Sequence, residues 1–381
     1  MLALALTGYL LTSWAWTLLG PLAPTLRETL GLTAMQQAFV VAVPVVVGAL
    51  ARIPSGALTD RLGGRAVQLL VLGMTVLALL ELAAVGLRSF AGLVVGAVLL
   101  GSAGAMFAAS VAFAGSWFPP TRRGLALGVL GLGLAGGALG GASGVRLATA
   151  YGLAAPFLVA AVVVGVFGAV ALMTLGDAPV PEGDQNRTHV SLADVLRLPI
   201  TRQSAAWYTV TFAVFVTFTS FLPVYLTHAY AMEPARTGDV MAAFMVVAVL
   251  MRPVGGWLAD RLSPSRPLIS ALTLISLAAL VQATTPPLPV MLAGVLPALA
   301  VGLGVASTSV LAQINRTAPP HTVGRITGVA SATGGLAGFL CPLLMAYAFE
   351  TFGDYGPALG LLAAGAASAT LHATIKIGQL R

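Results

Sequence analysis

Long apolar segments separated by short polar ones recur along the whole chain. A helix needs about 20 mainly apolar residues to cross the hydrocarbon of a bilayer, and twelve segments are long enough to do so. The predicted spans cover residues 3–23, 37–59, 66–86, 91–116, 124–147, 154–175, 203–227, 238–260, 267–285, 287–314, 323–348 and 355–375. The pattern predicts an all-α membrane protein with twelve transmembrane helices.

The longest polar stretch lies between the sixth and seventh predicted spans. It reads GDAPVPEGDQNRTHVSLADVLRLPITR, is rich in Pro, Asp and Arg, and contains a short amphipathic segment, LADVLRL. This composition is typical of a linker. We therefore predict an N-terminal six-helix bundle over 1–175, a cytoplasmic linker over 176–202 and a C-terminal six-helix bundle over 203–381.

The two halves repeat two motifs at a constant offset of 200 residues. In the first motif, Arg52, Gly56, Asp60 and Arg61 correspond to Arg252, Gly256, Asp260 and Arg261. In the second, Pro119, Pro120, Gly124 and Gly128 correspond to Pro319, Pro320, Gly324 and Gly328. Two pseudo-symmetric halves related by a parallel repeat are the layout of a large class of secondary transporters, so the architecture implies alternating access.

Composition and charge agree with a polytopic membrane protein. The 381 residues are 58% hydrophobic and 8% charged, whereas soluble domains have about 25% charged residues. Of the 19 Lys and Arg residues, two lie within spans and four (Arg27, Arg88, Arg146 and Arg236) face one side, which leaves 13 on the other. The positive-inside rule then predicts an inner-membrane protein with cytoplasmic N- and C-termini. The net charge of +7 reflects topology, and we expect no nucleic-acid partner.

Motifs for chemistry are missing from the sequence. It contains no HExxH, no paired Asp, no Cys/His cluster and no Walker motif. We therefore expect neither an enzyme nor an ATPase, and neither a metal nor a cofactor. The N-terminus lacks a basic start and a small-residue cleavage site, so the first span is expected to remain as a helix. The single cysteine, Cys341, is expected to pack within a span, and the protein is expected to be a monomer.

Two arginines are the most informative residues. Arg52 and Arg252 stand eight residues before Asp60 and Asp260, which puts them about 12 Å from the helix ends, close to mid-membrane. A central arginine costs about 2.5–3.5 kcal/mol and normally faces a cavity or a partner. Glu81 is the one acid clearly inside a span, and it cannot neutralise two arginines in different halves. We predict that both guanidinium groups converge on one small anion, which their planar, permanently charged forks suit.

The same charges bear on mechanism. An empty site would hold two unpaired cations in a low dielectric, whereas a site that contains an anion is largely compensated. We therefore predict that the carrier exchanges one anion for another. Proton symport is the alternative, and it requires a titratable group in the path, for which the position of Glu81 is poorly suited.

Charged and small residues suggest conformational roles. Asp60, Arg61 and Arg65, and likewise Asp260 and Arg261, are expected to form cytoplasmic ion-pair networks that latch an outward-open state, although topology alone would also explain these charges. Gly-rich stretches in the fifth and eleventh spans let helices approach closely and slide. Static packing and a hinge both remain open for these glycines, which include Gly328, Gly334 and Gly335.

Four segments resemble the nitrate/nitrite porter family of the major facilitator superfamily. They are FVVAVPVVVGALARIPSGALTDRLGGR, GSWFPPTRRGLALG, LMRPVGGWLADR and GRITGVASATGGLAGFLCP. The resemblance implies the major facilitator fold and a nitrate or nitrite anion bound by Arg52 and Arg252. It also implies that Phe107 of the fourth helix and Phe218 of the seventh surround the anion.

The sequence departs from this family at two places. Leu134–Ala135–Gly136 replaces an asparagine signature in the fifth helix, and Val214 stands where a tyrosine is expected one turn before Phe218. Fewer neutral donors imply a looser or different anion preference. Cyanate, formate or another small carboxylate thus remains an alternative substrate, and a channel or a non-transporting sensor on the same fold remains an alternative function.

Overall fold

The computed structural model describes residues 1–178, 191–319 and 321–378, which are helical almost throughout. The α-helices are α1 (Leu2–Trp16), α2 (Leu19–Leu30), α3 (Ala34–Leu62), α4 (Gly64–Ala84), α5 (Phe90–Gly101), α6 (Met106–Trp117), α7 (Arg123–Leu130), α8 (Gly136–Tyr151), α9 (Ala155–Thr174), α10 (Leu192–Arg197), α11 (Pro199–Tyr230), α12 (Pro234–Leu262), α13 (Ser265–Ala283), α14 (Leu288–Val290), α15 (Leu296–Thr317), α16 (Val323–Phe352) and α17 (Gly356–Gly378). Short 3₁₀ segments occupy Gly86–Arg88, Ser102–Ala105 and Gly131–Ala135, and a π-helical segment occupies Met291–Val295.

Consecutive helices combine into membrane spans. Eleven helical segments of the described chain are long and apolar enough to cross a membrane. Helix α11 supplies a twelfth when its two parts, Pro199–Thr219 and Phe221–Tyr230, are counted as one span bent by 62°. The prediction of a twelve-helix, all-α membrane protein is confirmed.

The predicted linker is described only in part. Residues 179–190 lie outside the described residues, whereas LADVLRL forms α10 and leads directly into α11 at Pro199. Proline is well placed there, because the first helical position needs no backbone N–H donor. The seventh span therefore begins four residues before the predicted position 203.

Helix ends follow from local residues. Helix α3 begins with a capping box, in which Thr33 Oγ1 accepts from Gln36 N–H at 3.2 Å and the Gln36 side chain accepts from Thr33 N–H at 2.9 Å. It ends at Gly63, whose φ of 88° suits glycine because no Cβ obstructs the left-handed region. These signals hold the helix that carries Arg52 between fixed ends.

The chain forms two compact units. The first comprises Met1–Trp117, Leu132–Leu196 and Ala318–Ala332, and the second comprises Phe118–Gly131, Arg197–Thr317 and Thr333–Arg381. Each unit therefore consists mainly of one predicted half together with a short segment from the other. The functional division into bundles at 1–175 and 203–381 stays a prediction.

Close glycine contacts join each unit to the short segment that comes from the other predicted half. In the first unit the start of α16 packs on α3, and a Cβ on Gly56 would collide with the carbonyl group of Gly324. In the second unit the start of α7 packs on α12, and a Cβ on Gly256 would collide with the carbonyl group of Gly124. Glycine permits these backbones to approach closely, which explains why the repeat carries glycine at both positions.

Substituting alanine for Gly56 or Gly256 is expected to destabilise the protein. The added methyl group meets backbone, which cannot rotate away, and overpacking of this kind typically costs about 1–3 kcal/mol. The midpoint of thermal unfolding in detergent measures the effect. Gly73→Ala in α4 is the matched control, because a Cβ there has no neighbour within 4 Å. Equal midpoints for Gly56→Ala, Gly256→Ala and Gly73→Ala would contradict the role assigned to these contacts.

Candidate functional site

Arg52 is held inside the first unit by backbone carbonyl groups. The residue is only 4% exposed. Its Nε donates to the Gly104 carbonyl at 3.2 Å, and its Nη1 donates to the Ser331 carbonyl at 2.8 Å. These two bonds orient the guanidinium group and partly compensate its removal from water.

A break in the fourth span presents one of those carbonyls. Between α5 and α6 the chain adopts a 3₁₀ turn over Ser102–Ala105, where hydrogen-bond geometry is poorer than in an α-helix. Carbonyls in the turn accept bonds from α3: Gly104 from Arg52, and Ala105 from Ser55 Oγ at 3.1 Å. The small residues of SAGA thus serve the site by their backbone.

Phe107 lies against Arg52, and its role at the anion stays a prediction. The Arg52 Cζ lies 5.6 Å from the Phe107 ring centroid, within the range of a cation–π interaction. The Tyr9 ring packs on Phe107 at 5.6 Å between centroids, with the planes tilted by 51°. An aromatic wall of this kind stabilises a cation without supplying a negative charge that would repel an anion.

Arg252 occupies the corresponding position of the second unit with fewer polar contacts. It is 2% exposed, and its Nε has no hydrogen-bond partner in the described part of the chain. No carboxylate among the described residues forms an ion pair with it. Gly131 provides space for the side chain, because a Cβ there would lie 2.8 Å from the Arg252 Cδ. Arg252 therefore retains hydrogen-bonding capacity in a buried setting.

The ring over Arg252 belongs to Phe215, which the sequence reasoning missed. The Arg252 Cζ lies 5.7 Å from the Phe215 centroid, whereas Phe218 packs on Phe244 at 5.7 Å between centroids. Phenylalanines recur every three residues at 212, 215 and 218, so spacing alone could not identify the one that faces the arginine. The role of Phe218 at the anion stays a prediction.

A tyrosine one turn before a phenylalanine does occur in α11. Tyr208 and Phe212 are buried, and their rings stack at 5.6 Å with an interplanar angle of 15°. The resemblance places this pair at Val214 and Phe218. Helix α11 therefore carries the expected pair of residue types, six positions earlier in the chain.

Asp60 and Asp260 both cap a helix N-terminus. Asp60 accepts from the Gly324 and Arg325 N–H groups of α16 at 2.8 and 2.9 Å, and Asp260 accepts from the Gly124 and Leu125 N–H groups of α7 at 2.8 Å each. Unsatisfied N–H groups and the helix dipole favour a carboxylate at both positions. The repeated aspartates thus have a repeated structural task.

The ion pairing around Asp60 differs from the prediction. Its partner is Arg325, whose Nη1 lies 3.0 Å from the Asp60 Oδ2 with both side chains 5% exposed. Arg65 instead donates through its backbone N–H to Asp177 and through Nη2 to the Leu172 carbonyl. Arg325 is one of the 13 basic residues on the predicted cytoplasmic side, and no local signal marks it as the partner of Asp60.

Among the described residues, no basic side chain pairs with Asp260 as Arg325 pairs with Asp60. Leu125 stands where Arg325 stands in the other half. Arg261 lies over the Trp257 ring, with 4.3 Å from its Cζ to the centroid, and the corresponding Arg61 is exposed. The predicted Asp260–Arg261 pairing is therefore replaced by a cation–π contact for Arg261 and backbone bonds for Asp260.

The predicted glycines are buried against other helices. A Cβ on Gly328 would collide with the Arg52 carbonyl, as one on Gly128 would with the Arg252 carbonyl. Gly334 packs against Tyr208 and Phe212, and Gly335 is buried in the same helix. These contacts account for close packing, and a gating role for the glycines stays a prediction.

Comparison with known proteins agrees with this architecture. The family model described as Major Facilitator Superfamily matches residues 5–371. A "Probable nitrate/nitrite transporter NarK2" of Mycobacterium tuberculosis is 37% identical over 367 residues, which cover 95% of this chain and 92% of that protein. This chain belongs to the nitrate/nitrite porter family of the major facilitator superfamily.

A second relative and a solved structure are also similar to this chain. A "Probable nitrate/nitrite antiporter NarK1" of Thermus thermophilus is 30% identical, over 91% of this chain and 84% of that protein. The solved structure of the human organic anion transporter MFSD10 superposes with a TM-score of 0.81 at 19% identity and covers 98% of both chains. The latter similarity supports the fold alone.

Replacing Asp60 with Asn should destabilise the porter more than replacing Asp260 with Asn. Asp60→Asn leaves the buried Arg325 without its counter-charge, which typically costs about 3–5 kcal/mol. Asp260→Asn weakens only hydrogen bonds to backbone N–H groups, which costs about 1–3 kcal/mol. Unfolding midpoints of the two variants in detergent provide the comparison.

The double variant Asp60→Asn/Arg325→Leu separates charge from capping. It removes the uncompensated cation and installs the residue type found at position 125, so it should recover part of the stability lost in Asp60→Asn. Equal losses for both aspartates, together with no recovery in the double variant, would show that the ion pair contributes little.

Proposed function

We propose that this porter exchanges nitrate and nitrite across the inner membrane by alternating access. The observation that carries the proposal is a buried arginine in each half, with an aromatic ring 5.6 Å from Arg52 and 5.7 Å from Arg252. Relatives that span most of the chain and bear nitrate/nitrite transporter names support this choice of anion.

The chemistry of arginine suits these anions. Nitrate is planar and nitrite is bent, and the guanidinium fork presents parallel N–H donors that match two oxygens of either anion. Arginine also stays protonated when buried, whereas burial can neutralise a lysine. A site that contains Arg52 and Arg252 therefore remains cationic and rejects neutral solutes.

Burial of the charges supports exchange. Arg252 is 2% exposed and has no carboxylate partner among the described residues, so an anion would provide compensation that the protein itself does not. Moving an empty, charged site through a low dielectric is costly. One-for-one exchange also avoids electrical work of about 2.3 kcal/mol per charge at 100 mV. The relative from Thermus thermophilus is named as a probable antiporter, which indicates exchange by that protein.

We assign supporting roles to neighbouring residues. Phe107 and Phe215 shield the two guanidinium groups, and Phe218 is retained as a further wall of the site. Asp60, Arg61, Arg65, Asp260 and Arg261 stabilise one conformational state through the contacts at their helix ends, and Gly328, Gly334 and Gly335 allow α16 to shift. Asymmetric pairing at Asp60 supports a difference between the two halves during the cycle.

The location, the oligomeric state and the alternative substrate are proposed from the sequence. Charge distribution supports a cytoplasmic location for both termini, and the inner membrane is the proposed location. Because one chain supplies both arginines, a monomer suffices for binding. The lack of asparagine in the fifth span, at Leu134–Ala135–Gly136, favours one alternative, in which cyanate, formate or another small carboxylate is the substrate.

Counterflow in proteoliposomes tests the proposal. Vesicles loaded with nitrite should take up labelled nitrate, and vesicles without an internal anion substrate should take up little, because the empty carrier reorients slowly. Uptake that persists without internal anion and follows an imposed proton gradient would identify symport instead. Counterflow driven by cyanate or formate but not by nitrite would replace the proposed substrate, and non-saturable flux would indicate a channel.

Arg52→Lys and Arg252→Lys should each reduce nitrate counterflow strongly without preventing membrane insertion. Charge is retained, but the fork is lost, and losing one charge-assisted hydrogen bond corresponds to about 10- to 100-fold. Initial rates at several nitrate concentrations measure the loss. Arg266→Lys, at an exposed position in α13, is the matched control. Full activity in Arg252→Lys would refute recognition by this arginine.

A further inference from the structure

A basic groove lies between α11 and α17, and the proposed function does not use it. The groove encloses about 670 Å³. Arg202, His372 and Lys376 line it together with Gln203, and none of its ten lining residues, all within the described chain, is acidic. Such a site favours an anion, since Arg and Lys donate charge-assisted hydrogen bonds to phosphate oxygens.

The basic residues Arg202, His372 and Lys376 lie toward one end of the groove. Arg202 lies in the first turns of α11, and Lys376 lies in the last turn of α17, so both occupy the end that the charge distribution assigns to the cytoplasm. The His372 ring packs on Trp207, at 5.9 Å between centroids, which holds the imidazole beside the groove. Three groups that can carry positive charge are thus gathered where phospholipid headgroups lie.

The opposite end of the groove is lined mainly by apolar residues, with Ser368 as its one hydroxyl side chain among the described lining residues. Val210 is eight residues beyond Arg202, which corresponds to about 12 Å along the helix. Ala206, Gly365 and Ala369 complete this part. On the same helix α17, Leu371 is 62% and Leu361 66% exposed, as expected of a surface that faces acyl chains.

We propose that this groove binds an anionic phospholipid, with the headgroup phosphate on Arg202, His372 and Lys376 and an acyl chain along Ala206, Val210 and Gly365. Charge complementarity selects the headgroup, and the change from polar to apolar lining along the helices favours a lipid over a soluble anion. The proposal is independent of the transported substrate.

Native mass spectrometry of the full chain in micelles doped with phosphatidylglycerol measures binding directly. Arg202→Gln and Lys376→Gln should each weaken retention about fivefold, and the double variant about 25-fold, as expected when each basic group contributes about 1 kcal/mol. Arg122→Gln/Arg266→Gln is the matched control, because it removes two exposed basic groups outside the groove. Equal retention by both double variants would overturn the proposal.

A second pair of variants tests the apolar part without changing any charge. Gly365→Leu fills the groove at a position where a Cβ has no neighbour within 4 Å, and Gly360→Leu is equally unobstructed in the same helix but lies outside the groove. Gly365→Leu should weaken phosphatidylglycerol retention several-fold, and Gly360→Leu should not. Unchanged retention in Gly365→Leu would overturn the assignment of the acyl chain.

Two further probes identify the source of the phosphate. The unsubstituted protein should retain phosphatidylcholine more weakly than phosphatidylglycerol. The double variant Arg202→Gln/Lys376→Gln should retain the two lipids equally. Inorganic phosphate at millimolar concentration should not displace the bound lipid. Full displacement by phosphate would overturn the lipid site and indicate a site for a soluble anion. Equal retention of the two lipids by the unsubstituted protein would overturn it as well and indicate non-specific adhesion.

Discussion

The rest of the structure depends on offsetting the cost of a permanently charged guanidinium group in the middle of an apolar span. Insertion of such a group costs about 2.5–3.5 kcal/mol even on the scale from membrane-insertion experiments, which gives low values. The surroundings must offset that cost. Around Arg52 the compensation comes from two backbone carbonyls and the Phe107 ring. None of these three groups carries a full negative charge.

The two halves share part of this solution and differ in the rest. Both halves place an arginine, a close glycine contact and a capping aspartate at the same offset. The pairing of Asp60 with Arg325 has no counterpart at Leu125, and the carbonyl contact at Ser331 corresponds to Gly131, which only provides space. The two halves are therefore more alike in backbone geometry than in polar pairing.

The sequence predicts the spans, the repeat and both arginines because each depends on local composition or constant spacing. It does not predict which of Phe215 and Phe218 faces Arg252, since that depends on how the bent α11 is rotated. Nor does it identify Arg325 as the partner of Asp60, because 265 residues separate them. The 3₁₀ turn at Ser102–Ala105 is equally hidden, as its small residues fit an α-helix just as well.

The turn in the fourth span has a consequence for how such sites are mapped. The acceptors for Arg52 are main-chain oxygens of Gly104 and Ser331, which every amino acid possesses. An alanine substitution leaves those oxygens in place, so its effect at either residue would not measure the hydrogen bond to Arg52. The atoms that position Arg52 belong to the main chain at both places, so a comparison of side chains alone would not reveal them.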